Sequence, residues 1–261
     1  NPRYVRSNQV WDVMVRVLPH WAAMHEWAPG HVHEECELQS FDFGSYMLDW
    51  FARVPRWQQY YYEHDQTPHY LYARKVVQIM TWFNGPNRWV MKSPPNMENL
   101  PAVFAAYPDA TVAITHRDPV AVLQSAITMM AYLDRLRRHD ADLPGLAEYW
   151  IARIERLLRK CVEDRAQVPQ DRVMDIMFHE YMADQMGTIE RVCAAAGLEI
   201  TPEARARFTA YVDENRRHRL GRVHYDLAGQ FGVDIGALRE RFSFYYDAFP
   251  VARETVPGER P

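Results

Sequence analysis

Lys92 closes a short apolar run, Trp89-Val90-Met91, and is followed by Ser93-Pro94. A lysine at the end of a buried strand can meet a ligand phosphate or sulfate as a point charge. The plain alternative is a strand-end lysine whose ammonium reaches solvent. A second apolar run, Thr111-Val112-Ala113-Ile114, leads into Thr115-His116-Arg117-Asp118-Pro119. Proline is favoured at the first position of a helix, so a helix begins there with its free N–H groups and positive dipole end beside Arg117. A guanidinium fork in that place can hold two oxygens of a phosphate. Ser125 follows about two helical turns further on and supplies a hydroxyl on the same side. An Arg117–Asp118 surface pair with a solvated serine is the competing reading. His116-Arg117-Asp118 also invites comparison with a protein-kinase catalytic loop, but the required asparagine is replaced by Leu123, and no glycine-rich loop or Asp-Phe-Gly element occurs.

Two further clusters carry chemistry-bearing residue types. Arg216, Arg217, His218, Arg219, Arg222 and His224 form the densest basic stretch of the chain. Such a run is either a solvated loop or, with Gly221 and Tyr225 beside it, a loop folded over an anion. His31, His33, Glu34, Glu35 and Cys36 have the residue types of metal ligands, but their spacing fits no standard zinc pattern and no metal is expected. A polar loop is the first reading of this segment. The second makes a carboxylate such as Glu34 or Glu35 the general base that deprotonates a hydroxyl.

These residues need elements to position them. Apolar spacing predicts helices over 10–18, 46–54 and 70–83, the last stopped by Asn84-Gly85-Pro86. Beyond 87 the pattern changes to strand, proline-containing loop and helix: strands at 89–91, 111–114 and 173–178, and helices at 99–106, 119–132, 146–166, 188–196, 202–213 and 236–249. Short buried strands alternating with helices imply parallel βαβ units, with ligands at the carboxyl ends of the strands. Lys92, His116–Arg117 and Phe178–His179 are thereby expected on one rim. The tail after Pro250 is expected to be loose.

The chain has 261 residues, 48% of them hydrophobic and 25% charged, enough for one α/β domain. A single domain over 1–261 is expected, with a mainly helical, aromatic-rich acceptor side in 1–87 and a donor side in 88–249. Its net charge of −4 excludes a general nucleic-acid or anionic-membrane binder, so an anionic ligand needs a local basic pocket. No apolar stretch is long enough to cross a bilayer. The three cysteines, far apart in sequence, read as free thiols of a reducing, cytoplasmic compartment.

Taken together, Arg88-Trp-Val-Met-Lys-Ser-Pro94, Phe104-Ala-Ala-Tyr-Pro-Asp-Ala110 and Thr115-His-Arg-Asp-Pro119 through Ser125 resemble the sulfotransferase family, in its bacterial branch related to tyrosylprotein and carbohydrate sulfotransferases. The resemblance implies a P-loop-related α/β fold, a parallel sheet flanked by helices with a largely helical N-terminal part. It also implies 3′-phosphoadenosine 5′-phosphosulfate (PAPS) as sulfuryl donor, released as PAP, and a small-molecule, lipid or carbohydrate hydroxyl as acceptor. Arg117 and Ser125 are similar to the pair that binds the 3′-phosphate, and Lys92 to the lysine that stabilises charge on the bridging oxygen. Phe178 falls near the adenine, and Arg219, Arg222 and His224 in a late loop that closes over the donor.

Two departures accompany the resemblance. Pro94 stands where cytosolic relatives place a histidine, which leaves the base open. The Pro-Arg-Ser-Gly-Thr-like loop that cradles the 5′-phosphosulfate is not found in the sequence, so these 261 residues by themselves are not expected to transfer sulfate. A small-molecule kinase on the related P-loop fold and a non-catalytic nucleotide-binding protein are the alternatives.

Overall fold

The structure is a computed structural model and describes residues 1–216 and 219–259. These divide into two compact units. The first comprises Asn1–His31, Thr111–Ile151 and Asp171–Pro261, and the second Val32–Ala110 and Ala152–Gln170. The division differs from the boundary at 87/88, because the second unit takes residues from both sides of it.

The first unit is built on two parallel strands, β1 (Val112–His116) and β2 (Val173–Met177), paired from Val112↔Val173 to His116↔Met177. Ile114 and His116 are buried while Thr115 between them is exposed, the period-two pattern of a strand with one covered face. The helix Pro119–Asp134 starts where the proline indicates. Its cap is Asp118, whose carboxylate accepts from the Val120 N–H at 2.9 Å. The expected helix over 236–249 is interrupted: Ile235–Arg241 and Ser243–Ala248 are separate, with the buried Phe242 at the joint.

The tail differs from expectation too. Residues 251–259 are not loose, because Val256 is buried and Glu254 and Glu259 are bonded to Asp118, Arg117 and Arg239. These partners lie far away in sequence, where no local pattern announces them.

In the second unit the helix Thr67–Asn84 packs on Leu100–Ala106 and on Cys36–Gln39. It ends at Gly85, whose φ of +85° an L side chain rarely adopts. The long helix Leu143–Arg165 contributes Arg153, fully buried between Glu98 and Asp49. The Arg153 guanidinium donates to both carboxylate oxygens of Glu98 and stacks over the Tyr46 ring at 4.5 Å. Tyr61 and Tyr70, two of the aromatics of 1–87, are buried in this core.

The strand expected at 89–91 does not form: among the described residues the sheet has two strands, and 89–91 is irregular. Val90 is 86% exposed, and Trp89 donates its indole N–H to Thr81 at 2.8 Å. An apolar run becomes a strand only where a neighbour completes its ladder. Lys92 consequently follows a loop instead of ending a strand.

Candidate functional site

In Thr115-His116-Arg117-Asp118 three consecutive side chains have three different fates. His116 is fully buried with both ring nitrogens bonded, one to Asp175 at 2.9 Å and one to the Tyr245 hydroxyl at 2.6 Å. A carboxylate only accepts, so in the neutral ring Nε2 carries the proton and Nδ1 accepts from Tyr245. Asp118, also fully buried, accepts from Arg239, from the Tyr246 hydroxyl at 2.6 Å and from the backbone N–H of Glu254 at 2.6 Å. Burial raises the Asp118 pKa, but the bonds from Arg239, Tyr246 and the Glu254 N–H outweigh it, and the net displacement is downward.

Arg117, held between these two anchored neighbours, remains partly exposed at the carboxyl end of β1. Its Cζ lies 4.3 Å from the centroid of the Phe178 ring, which follows β2. Carboxyl ends of parallel strands are where ligands bind in open α/β sheets.

Arg117 lines a cavity of about 410 Å³. The helix Pro119–Asp134 contributes Ala121, Gln124 and Ser125 to it, residues on one helical face by their spacing. Arg216, Arg219, Gly221 and Tyr225 come from the basic loop, and Glu254 and Thr255 from the tail. Gly221 has φ +109°, open to glycine and strained for other residues, which allows the loop to turn here.

Three of the expected anion-binding residues, Arg117, Ser125 and Arg219, thus line one cavity. Arg222 and His224 are exposed and do not line it, nor does Phe178, whose ring lies against the Arg117 guanidinium. Arg217 and His218 lie outside the described residues. The sequence reading missed Glu254 and Gln124. Glu254 receives both Nε and an Nη of Arg117, at 2.6 and 2.8 Å. Gln124 is buried, and its carbonyl oxygen has no hydrogen-bond partner.

Lys92, Glu34 and Glu35 come together in the second unit. The exposed Lys92 ammonium donates to Glu34, and Asn96 donates to Glu35 while accepting from the Tyr70 hydroxyl at 2.9 Å. Burial raises the Glu35 pKa, partly offset by the Asn96 bond, and its second oxygen is buried with no hydrogen-bond partner. Burial likewise pushes the Cys36 thiol up to about 12, so it is neither nucleophile nor thiolate ligand near neutral pH. Among the described residues no group of three or more His, Cys, Asp or Glu is placed to hold a metal ion.

The fold is a mostly helical α/β fold of the P-loop-like class with a small parallel sheet. Solved structures of two mycobacterial sulfotransferases share the fold. STF9 of Mycobacterium avium is 21% identical with a TM-score of 0.78, and the match covers 97% of this chain and 65% of that one. STF1 of Mycobacterium tuberculosis H37Rv is 24% identical with a TM-score of 0.79, the match covering 94% and 63%. The chain thus spans less than two thirds of the length of either. No curated protein matches it. The sulfotransferase family model matches residues 2–202, most of the chain. The chain belongs to the sulfotransferase family.

Proposed function

We propose that the protein moves a sulfuryl group from PAPS to the hydroxyl of a small-molecule, lipid or carbohydrate acceptor. The observation that carries this reading is the convergence of Arg117, Ser125, Arg216 and Arg219 on one cavity at the carboxyl end of β1. Its volume is in the range of small-ligand sites, and its three arginines, paired with Glu254, Asp213 and Glu26 in the unliganded protein, are all partly or fully exposed and can turn to a phosphate-bearing ligand.

In this reading Arg117 and Ser125 hold the 3′-phosphate, with Arg219 beside them. Lys92 stabilises charge on the oxygen that leaves the sulfuryl group, since a preorganised cation acts where charge develops. Glu35 is the preferred base. Its raised pKa brings it toward the working pH of a proton acceptor, whereas Glu34 is engaged by Lys92. Family membership disfavours the kinase alternative, and transfer to an acceptor separates the enzyme from a non-catalytic nucleotide binder. Among the described residues no helix is long and apolar enough to cross a membrane. The three free cysteines accord with a reducing, cytoplasmic setting.

Calorimetry of PAP binding tests the donor site. Arg117→Ala removes a charged hydrogen-bond donor, so PAP should bind about 1.5–3 kcal/mol more weakly. Adenosine 5′-phosphosulfate has no 3′-phosphate and should be indifferent to the change. Equal losses for both nucleotides would overturn the assignment.

A further inference from the structure

The cavity already contains an anion of the protein's own. Glu254 makes a two-point carboxylate–guanidinium pair with Arg117, occupying the Nε/Nη edge that a phosphate would take. The backbone around Glu254 is fixed independently of that pair: its N–H donates to Asp118 at 2.6 Å, and its carbonyl accepts from Arg239 at 2.7 Å. Arg239 is tied in turn to Asp118 and Glu259. Only the Glu254 side chain is therefore free to move without disturbing residues 251–259. Both side chains of the pair keep nearly a third of their surface exposed, 31% for Arg117 and 28% for Glu254, so exchange with a dissolved anion needs no opening of the core.

We propose that Glu254 is a specificity-determining residue of the anion cavity, an internal carboxylate that the 3′-phosphate of an incoming nucleotide must displace from Arg117. The inference rests on the donor-site reading above and adds to it. With the fork closed by Glu254, a ligand gains from Arg117 only what it offers beyond a carboxylate. A dianionic phosphate, with three oxygens and Arg219 and Ser125 lining the same cavity, clears that threshold; a nucleotide lacking the phosphate gains nothing there. Affinity for the phosphate-bearing ligand is reduced by the fraction of time the fork is closed.

The test is PAP and AMP binding by calorimetry to the wild-type chain, Glu254→Gln, Arg117→Ala and the double variant. Glu254→Gln retains the backbone anchors and removes the competing charge, so PAP should bind about five- to tenfold more tightly, while AMP is unchanged. In the Arg117→Ala background the gain should vanish, because the contested fork is gone. Glu254→Asp, one methylene shorter, should fall between wild type and Glu254→Gln, and it carries the test if Glu254→Gln does not fold. PAP binding that Glu254→Gln leaves unchanged or weakens, while Arg117→Ala still weakens it, overturns the inference and leaves the donor site standing. Wild-type binding of PAP no tighter than AMP, insensitive to Arg117→Ala, overturns both.

Discussion

Lys92 illustrates how a single residue is placed by contacts its neighbours in sequence do not reveal. It follows an irregular segment, is well exposed, and faces Glu34 from 58 residues away. A carboxylate beside the ammonium orients it without taking it out of water. A group in this state is suited to stabilising developing negative charge and contributes little to ground-state affinity. Replacing Lys92 by Ala in the full protein should lower kcat by about 10²-fold, the scale of losing one electrostatic stabiliser, with PAP affinity nearly unchanged. Steady-state kinetics with calorimetry check this; a raised KM with kcat intact would make Lys92 a binding residue.

At the scale of elements, the loop between β1 and the helix Pro119–Asp134 is held by Asp118. This carboxylate caps the helix, pairs with Arg239 on the helix Ile235–Arg241 and fastens the tail through the Glu254 N–H. Asp118→Asn keeps a capping oxygen but removes one of the two carboxylates on the buried Arg239, leaving Glu259. Breaking a buried pair in this way should cost about 3–5 kcal/mol in chemical denaturation. The pH dependence follows from the direction of the shift. Asp118 has a folded pKa below the ordinary 3.8, so its contribution is present above the unfolded value and lost as pH falls through the folded one. Stability of the wild-type protein should decline below about pH 4, and Asp118→Asn should show a shallower decline. An unchanged acid slope would count against this role.

At the scale of the whole molecule, each unit has its own buried ionic hub, Asp118–Arg239 in the first and Arg153 with Glu98 and Asp49 in the second. Arg153 belongs to the segment 152–170, which joins 32–110 across a long sequence separation. Arg153→Met leaves two carboxylates buried without their cation and should cost about 3–5 kcal/mol. Adding Glu98→Leu should restore part of that loss, since an apolar replacement of the pair removes the stranded charge. Equilibrium denaturation of the single and double variants measures the coupling; additive losses would show that the pair does not act as a unit.

Much of this was written locally. Pro119 after Asp118 marks a helix start because proline has no N–H to leave unbonded, and Asp118 is a residue type that caps. The run 111–114 reads as a strand, which in the structure runs from Val112 to His116, and Arg117 after it reads as an anion ligand, because both readings depend on neighbours in sequence. The family motif around Lys92, Arg117 and Ser125 was legible for the same reason. Tertiary structure alone decided the rest. The run 89–91 has the composition of a strand but lacks a partner strand, and a ladder needs two. The segment 251–259 has the composition of a loose tail, yet Asp118 and Arg239 supply the bonds that order it. Glu254 has no motif, and its place on Arg117 arises because hydrogen bonding and charge pairing act through space, between residues 137 apart in the chain.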